Sequence, residues 1–107
     1  MSVLLISLDL QENQENPIEI LKLIKSFDNW VQVSKTSYAI ATHLSPDFVG
    51  SKIRQLIDTG DHVYVFKLSL PYYEYGQNNV KHWLETFLAE NHPGPRFASF
   101  SCSPTNR

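Results

Sequence analysis

Cysteine is almost missing from this chain: the sole thiol is Cys102. No internal disulfide can form, so a reducing cytoplasm is the expected setting, and no cysteine pair is available to build a zinc site. Glycine is sparse too, with four scattered residues that form neither a Walker loop nor a dinucleotide-binding loop. The longest apolar run, Val3 to Ile6 and on through Leu8, falls far short of the ~20 residues that span a bilayer. No basic segment precedes it and no small-residue cleavage site follows, so neither a signal peptide nor a membrane partner is expected. Positive charge is not in excess. Nine Lys and Arg against eleven Asp and Glu give a net charge of −2, and the chain as a whole exerts no pull on nucleic acid.

What remains is a chain of 107 residues, 42% hydrophobic and 19% charged, the make-up of one folded globular domain. A domain this size buries roughly 60–70% of its unfolded surface, enough for one core. Apolar alternation over residues 3–10 reads as a strand, with Leu4, Ile6, Leu8 and Leu10 on one face and Val3, Leu5, Ser7 and Asp9 on the other. Asn16, Pro17 and Glu19 supply a cap, a first-turn proline and a capping-box acid for a helix whose apolar face is Ile20, Leu21, Leu23, Ile24 and Phe27. Trp30 to Ser34 and Ser37 to Leu44 alternate as a hairpin. Ser45-Pro46 opens a second helix through Val49, Ile53, Leu56 and Ile57, with Gly60 placed as its left-handed terminus. A fourth strand over 62–70 sets Tyr64, Phe66, Leu68 and Leu70 against Val63, Val65, Lys67 and Ser69. Past the tyrosine-rich stretch Tyr72, Tyr73, Tyr75, the spacing of Val80, Trp83, Leu84, Phe87 and Leu88 predicts a third helix.

This order is βαββαβ plus a C-terminal helix, so the expected fold is α+β: a ferredoxin-like antiparallel sheet with two helices on one face. The expected domain covers 1–90, with 91–107 as a flexible tail. On this reading the strongly apolar face of each strand lies under the helices. The opposite face collects Ser7, Asp9, Trp30, Gln32, Ser34, Ala39, Ala41, His43, Val63 and Val65. It mixes small apolar residues with polar ones, part of it is too apolar to stay wet, and a homodimer formed through it or through the third helix is the expected remedy.

Asp9 is the leading chemical candidate. A carboxylate ending an apolar strand must be solvated, paired or metal-bound, and in a two-fold dimer a pair of Asp9 side chains can share Mg²⁺ or Mn²⁺. The other reading has Asp9 starting a turn or capping a backbone amide. His43 shares the Asp9 face, as a general base, a group supporting Asp9, or a solvated or interface histidine. His62, His82 and His92 have no metal-ligand spacing and no assigned role. Ser34, Ser37 and Cys102 lack a nucleophile elbow. RNA-recognition sheets stack bases on aromatics of their two central strands, and the open face of the first strand offers Ser7 and Asp9 instead. Tyr72, Tyr73 and Tyr75 suit base stacking or a dimer seam equally.

Several short motifs carry a family likeness: Ile6-Ser7-Leu8-Asp9-Leu10, Ile24-Lys25-Ser26, Trp30, Thr36-Ser37-Tyr38, Ser45 and Asp61-His62-Val63. From Ile6 to about Leu70 the chain resembles the small CRISPR-associated nuclease that partners the integrase in spacer acquisition. It is closer still to SinR-like small bacterial proteins, relatives of that nuclease and of virulence-associated protein D. The resemblance implies a ferredoxin-like homodimer with Asp9 near the two-fold axis, serving as metal ligand and catalytic carboxylate in metal-dependent cleavage of RNA or DNA. The chain departs from that pattern after Asp9, where Gln11 to Asn16 carries two acids and no base, and in the first helix, which lacks the usual arginine. Those departures, with the acidic balance, keep a second class open: a non-catalytic dimeric module that binds a protein partner, such as a toxin–antitoxin component, regulator or inhibitor.

Overall fold

The computed structural model describes residues 1–11 and 18–90, the side chain of Glu90 excepted. The expected Asn16–Pro17 cap, Glu12 and Glu15, and the tail with His92 and Cys102 lie outside the described residues. In chain order the elements are β1 (Ser2–Asp9), α1 (Ile18–Lys25), β2 (Asn29–Ser34), β3 (Ser37–Thr42), α2 (Pro46–Arg54), β4 (His62–Leu68) and α3 (Asn78–Glu90). The protein is α+β, with one four-stranded sheet in the order β2-β3-β1-β4, every neighbouring pair antiparallel.

The two faces of the sheet are covered by different helices. On one side Leu4, Ile6 and Leu8 of β1 pack with Tyr38 and Ile40 of β3, Ile20 and Ile24 of α1, and Val49 and Ile53 of α2. The apolar spacing of both helices dictates this, because residues three and four apart fall on one stripe. The Ser45 hydroxyl starts α2 as expected, accepting from the Phe48 amide at 3.1 Å. On the other side, Val80, Leu84 and Leu88 of α3 pack over Val3, Val31 and Ala39. The C-terminal helix thus fills much of the face expected to be left for a second chain. Ala39 is buried under α3 and Ala41 is buried as well, so neither supplies apolar surface for self-association.

Two strands have the opposite phase to the one their hydrophobicity suggests. Val63 and Val65, expected on the far face, pack against the α1–α2 core, while Tyr64 and Phe66 stand exposed on the other side. Trp30 likewise packs toward α1 and α2, and Val31 turns toward α3. On β4 the reason is space: α2 packs directly on the strand, and a Cβ added at Gly50 would already be in van der Waals contact with a Val65 methyl at 3.6 Å. Valine fits that gap and an aromatic ring does not. Both faces of β4 carry large apolar residues, so alternation alone cannot choose between them, and on β2 a single Trp30 competes with Val31 and Val33.

Gly60 does take a left-handed conformation, with φ 99°, yet it does not end α2. That helix closes at Gln55, and Gly60 instead shapes the turn that leads into β4.

Candidate functional site: the Asp9 end of the open sheet face

Among the described residues α3 covers only part of its face, and a strip along β1 and β4 is left exposed. The antiparallel register places Leu5 beside Phe66, Ser7 beside Tyr64, and Asp9 beside His62. Asp9 and His62 are therefore the last rung of the β1–β4 ladder. The Asp9 side chain is 71% exposed and that of His62 59%, with Oδ2 and Nδ1 3.6 Å apart. A pair this exposed, when the imidazole is charged, contributes about 0–1 kcal/mol, so it does not account for the strand end by itself. It is an exposed polar pair on the surface rather than a structural brace.

Next along β4, Tyr64 and Phe66 are 51% and 53% exposed. Their rings lie nearly parallel, 11° apart in plane with centroids separated by 6.5 Å. Successive side chains on one strand face recur every ~6.7 Å, which accounts for the spacing. Two half-bare aromatics on one edge strand form the principal apolar feature of this strip.

The backbone around Asp9 is held from outside the ladder. Gln11, two residues on, donates its backbone N–H to Asp61 Oδ1 at 2.7 Å, while Asp61 Oδ2 accepts from the Asp58 amide at 2.9 Å. The Gln11 side chain donates to the Thr59 carbonyl at 3.2 Å and lies where a Cβ on Gly60 would otherwise sit. Asp61 is 7% exposed, and its two amide donors offset the cost of burying its carboxylate.

His43 does not belong to this site. Ala41 pairs with Val3, so His43 lies beyond the start of β1 while Asp9 is at its end, about 27 Å away at ~3.4 Å per residue. It lines a separate cleft with Asp28, Asn29 and Leu44. An even number of residues on a strand put His43 on the right face, but the antiparallel register sends it to the wrong end. His62, given no role from its spacing, is the histidine that meets Asp9. Its signal was its place opening a strand that follows a buried acid, legible only once β4 is known to pair with β1.

Among the described residues no group of three or more His, Cys, Asp or Glu side chains could hold a metal ion. Among the described residues this strand end brings together Asp9 and His62, short of a protein-ligand cage. No helix of the described residues is long and apolar enough to cross a membrane. No protein-family model matches the chain, and no curated protein does.

Proposed function

We propose that this chain is a ferredoxin-like protein of the reducing cytoplasm that pairs with a second copy through its open sheet strip and cleaves RNA or DNA with the aid of Mg²⁺ or Mn²⁺. The fold part of the reading draws on the strand order. Traced from the other edge it runs β4-β1-β3-β2, so each βαβ unit has a strand of the other inserted between its own two, the split-βαβ pattern. The functional part draws on one observation: a solvent-facing Asp9 at the end of an otherwise buried strand, with His62 at 3.6 Å. The resemblance of the Ile6–Leu10 segment to nuclease first strands points the same way.

A hard divalent cation keeps several waters and needs only one or two protein carboxylates together with phosphate oxygens of the substrate. An Asp9 from each of two copies supplies two such carboxylates, and a single chain supplies one. When bound, the ion would supply Lewis-acid activation of the phosphate and of water. Asp9 contributes the negative charge that holds it. His62 places Nδ1 beside the Asp9 carboxylate, 3.6 Å from Oδ2. Tyr64 and Phe66 give the second copy an apolar surface to cover beside the two carboxylates.

The test is cleavage of labelled RNA and DNA with Mg²⁺ or Mn²⁺, wild type beside Asp9→Asn. Metal-dependent cleavage that Asp9→Asn abolishes is the expected result. Equal cleavage by both proteins, or none by the wild type on either substrate, refutes the catalytic reading.

The exposed aromatic pair of Tyr64 and Phe66 favours a second reading: a non-catalytic module that binds a protein partner. A stoichiometric partner from the source cell, lost on Phe66→Ser and accompanied by no metal-dependent cleavage, would establish it.

A further inference from the structure

We propose that Asp61 is a positioning residue for the Asp9–His62 pair, acting through a latch that closes the end of the β1–β4 ladder. The inference rests on Asp9 being the functional carboxylate. Asp9 and His62 form the terminal rung, and terminal rungs fray because one side has no neighbour to hold it. Their exposed side-chain contact at 3.6 Å is too weak to prevent this. The latch begins directly past the rung. Asp61, the residue before His62, takes the Gln11 amide at 2.7 Å, so the strand leaving Asp9 is tied to the strand entering at His62.

Three further contacts make this a built feature. The second Asp61 oxygen takes the Asp58 amide, which fixes the carboxylate to its own turn. The Gln11 carboxamide reaches the Thr59 carbonyl. It passes over Gly60, whose left-handed φ of 99° and lack of a Cβ leave room for it. A buried acid, a glycine without a side chain and a glutamine from 48 or more residues earlier thus converge on one end of one ladder. That end is where Asp9 sits.

The test compares wild type, Asp61→Ala and Asp61→Asn in the full chain. Backbone ¹⁵N relaxation reads order at Asp9 and His62, and the His62 imidazole nitrogen shift at fixed pH reads its contact with the carboxylate. Asp9→Ala sets the value for a lost contact. In Asp61→Ala the order parameters of Asp9 and His62 are expected to fall from about 0.85 to below about 0.6, while those of Leu4 and Ile6 stay unchanged. The imidazole shift is expected to move to the Asp9→Ala value. Asp61→Asn, which keeps one accepting oxygen, is expected to restore part of both. On a cleaved substrate, kcat is expected to drop roughly tenfold to a hundredfold with KM unchanged, the mark of misplacement rather than lost binding. A folded Asp61→Ala protein with wild-type order and imidazole shift overturns the proposal. Should Asp61→Ala fail to fold, Gln11→Pro, which removes the latch donor and leaves the Asp58 bond, decides on the same readouts. Wild type that cleaves nothing defeats the nuclease reading alone, because the relaxation and shift measurements need no activity.

Discussion

Leu88→Ala tests the packing that most reshapes the surface of this protein, the seat of α3 on the second sheet face. Leu88 is 1% exposed and shares its cluster with Val3, Val31 and Ala39. Truncation removes three buried carbon groups, about 2.4 kcal/mol at roughly 0.8 kcal/mol each. A cavity left behind adds to this. Because α3 lies on the outside of the sheet and can settle inward, the total belongs at the lower end of Leu→Ala costs, about 2.5–3.5 kcal/mol. That is a large share of the ~5–10 kcal/mol that holds a domain of this size. Urea denaturation followed by far-ultraviolet circular dichroism measures it, with Tyr75→Ala as a control. Tyr75 is 90% exposed, and its loss is expected to change stability by less than about 0.5 kcal/mol. A Leu88→Ala loss below about 1 kcal/mol at an unchanged m-value would show that α3 does not pack here, and the whole face would then be open.

Two further outcomes follow from the two sides of the sheet. Burial pushes the Tyr38 phenol above its ordinary value of 10.0, so the folded state favours the neutral ring. Its contribution to stability is full below the unfolded value and is lost as pH rises through the higher folded one; Tyr38→Phe is therefore expected to flatten the fall of the urea midpoint above about pH 10. Phe66→Ser, at a half-exposed ring, is expected to cost the monomer no more than about 1 kcal/mol while reducing self-association. Light scattering of the wild type at micromolar concentration should give twice the 12.3 kDa chain mass and the variant a single chain, and a wild-type monomer would refute pairing through the open strip.

The candidate site was half legible. Asp9 stood out because a carboxylate at the end of Ile6-Ser7-Leu8 breaks an apolar pattern. Its partner did not. His43 and His62 both flank strands, and local spacing treats them alike until pairing is known. The latch was hidden for the same reason: Asp61 and Gln11 are 50 residues apart, and each alone is an ordinary polar residue beside a turn.

Local chemistry by itself determined the seven elements, the α2 cap at Ser45-Pro46, and the inward faces of β1 and β3, where one set of side chains is plainly the greasier. It did so because periodicity and capping act over a few residues and need no partner. Tertiary structure alone decided the phase of β2 and β4: on β4 both faces carry large apolar residues, and close packing against α2 places the valines rather than the aromatic rings beneath that helix. It also decided that α3 folds back on its own sheet, leaving Tyr64 and Phe66 bare, and that His62 rather than His43 stands beside Asp9. Those outcomes depend on register and close packing between segments far apart in the chain, and no local pattern encodes them.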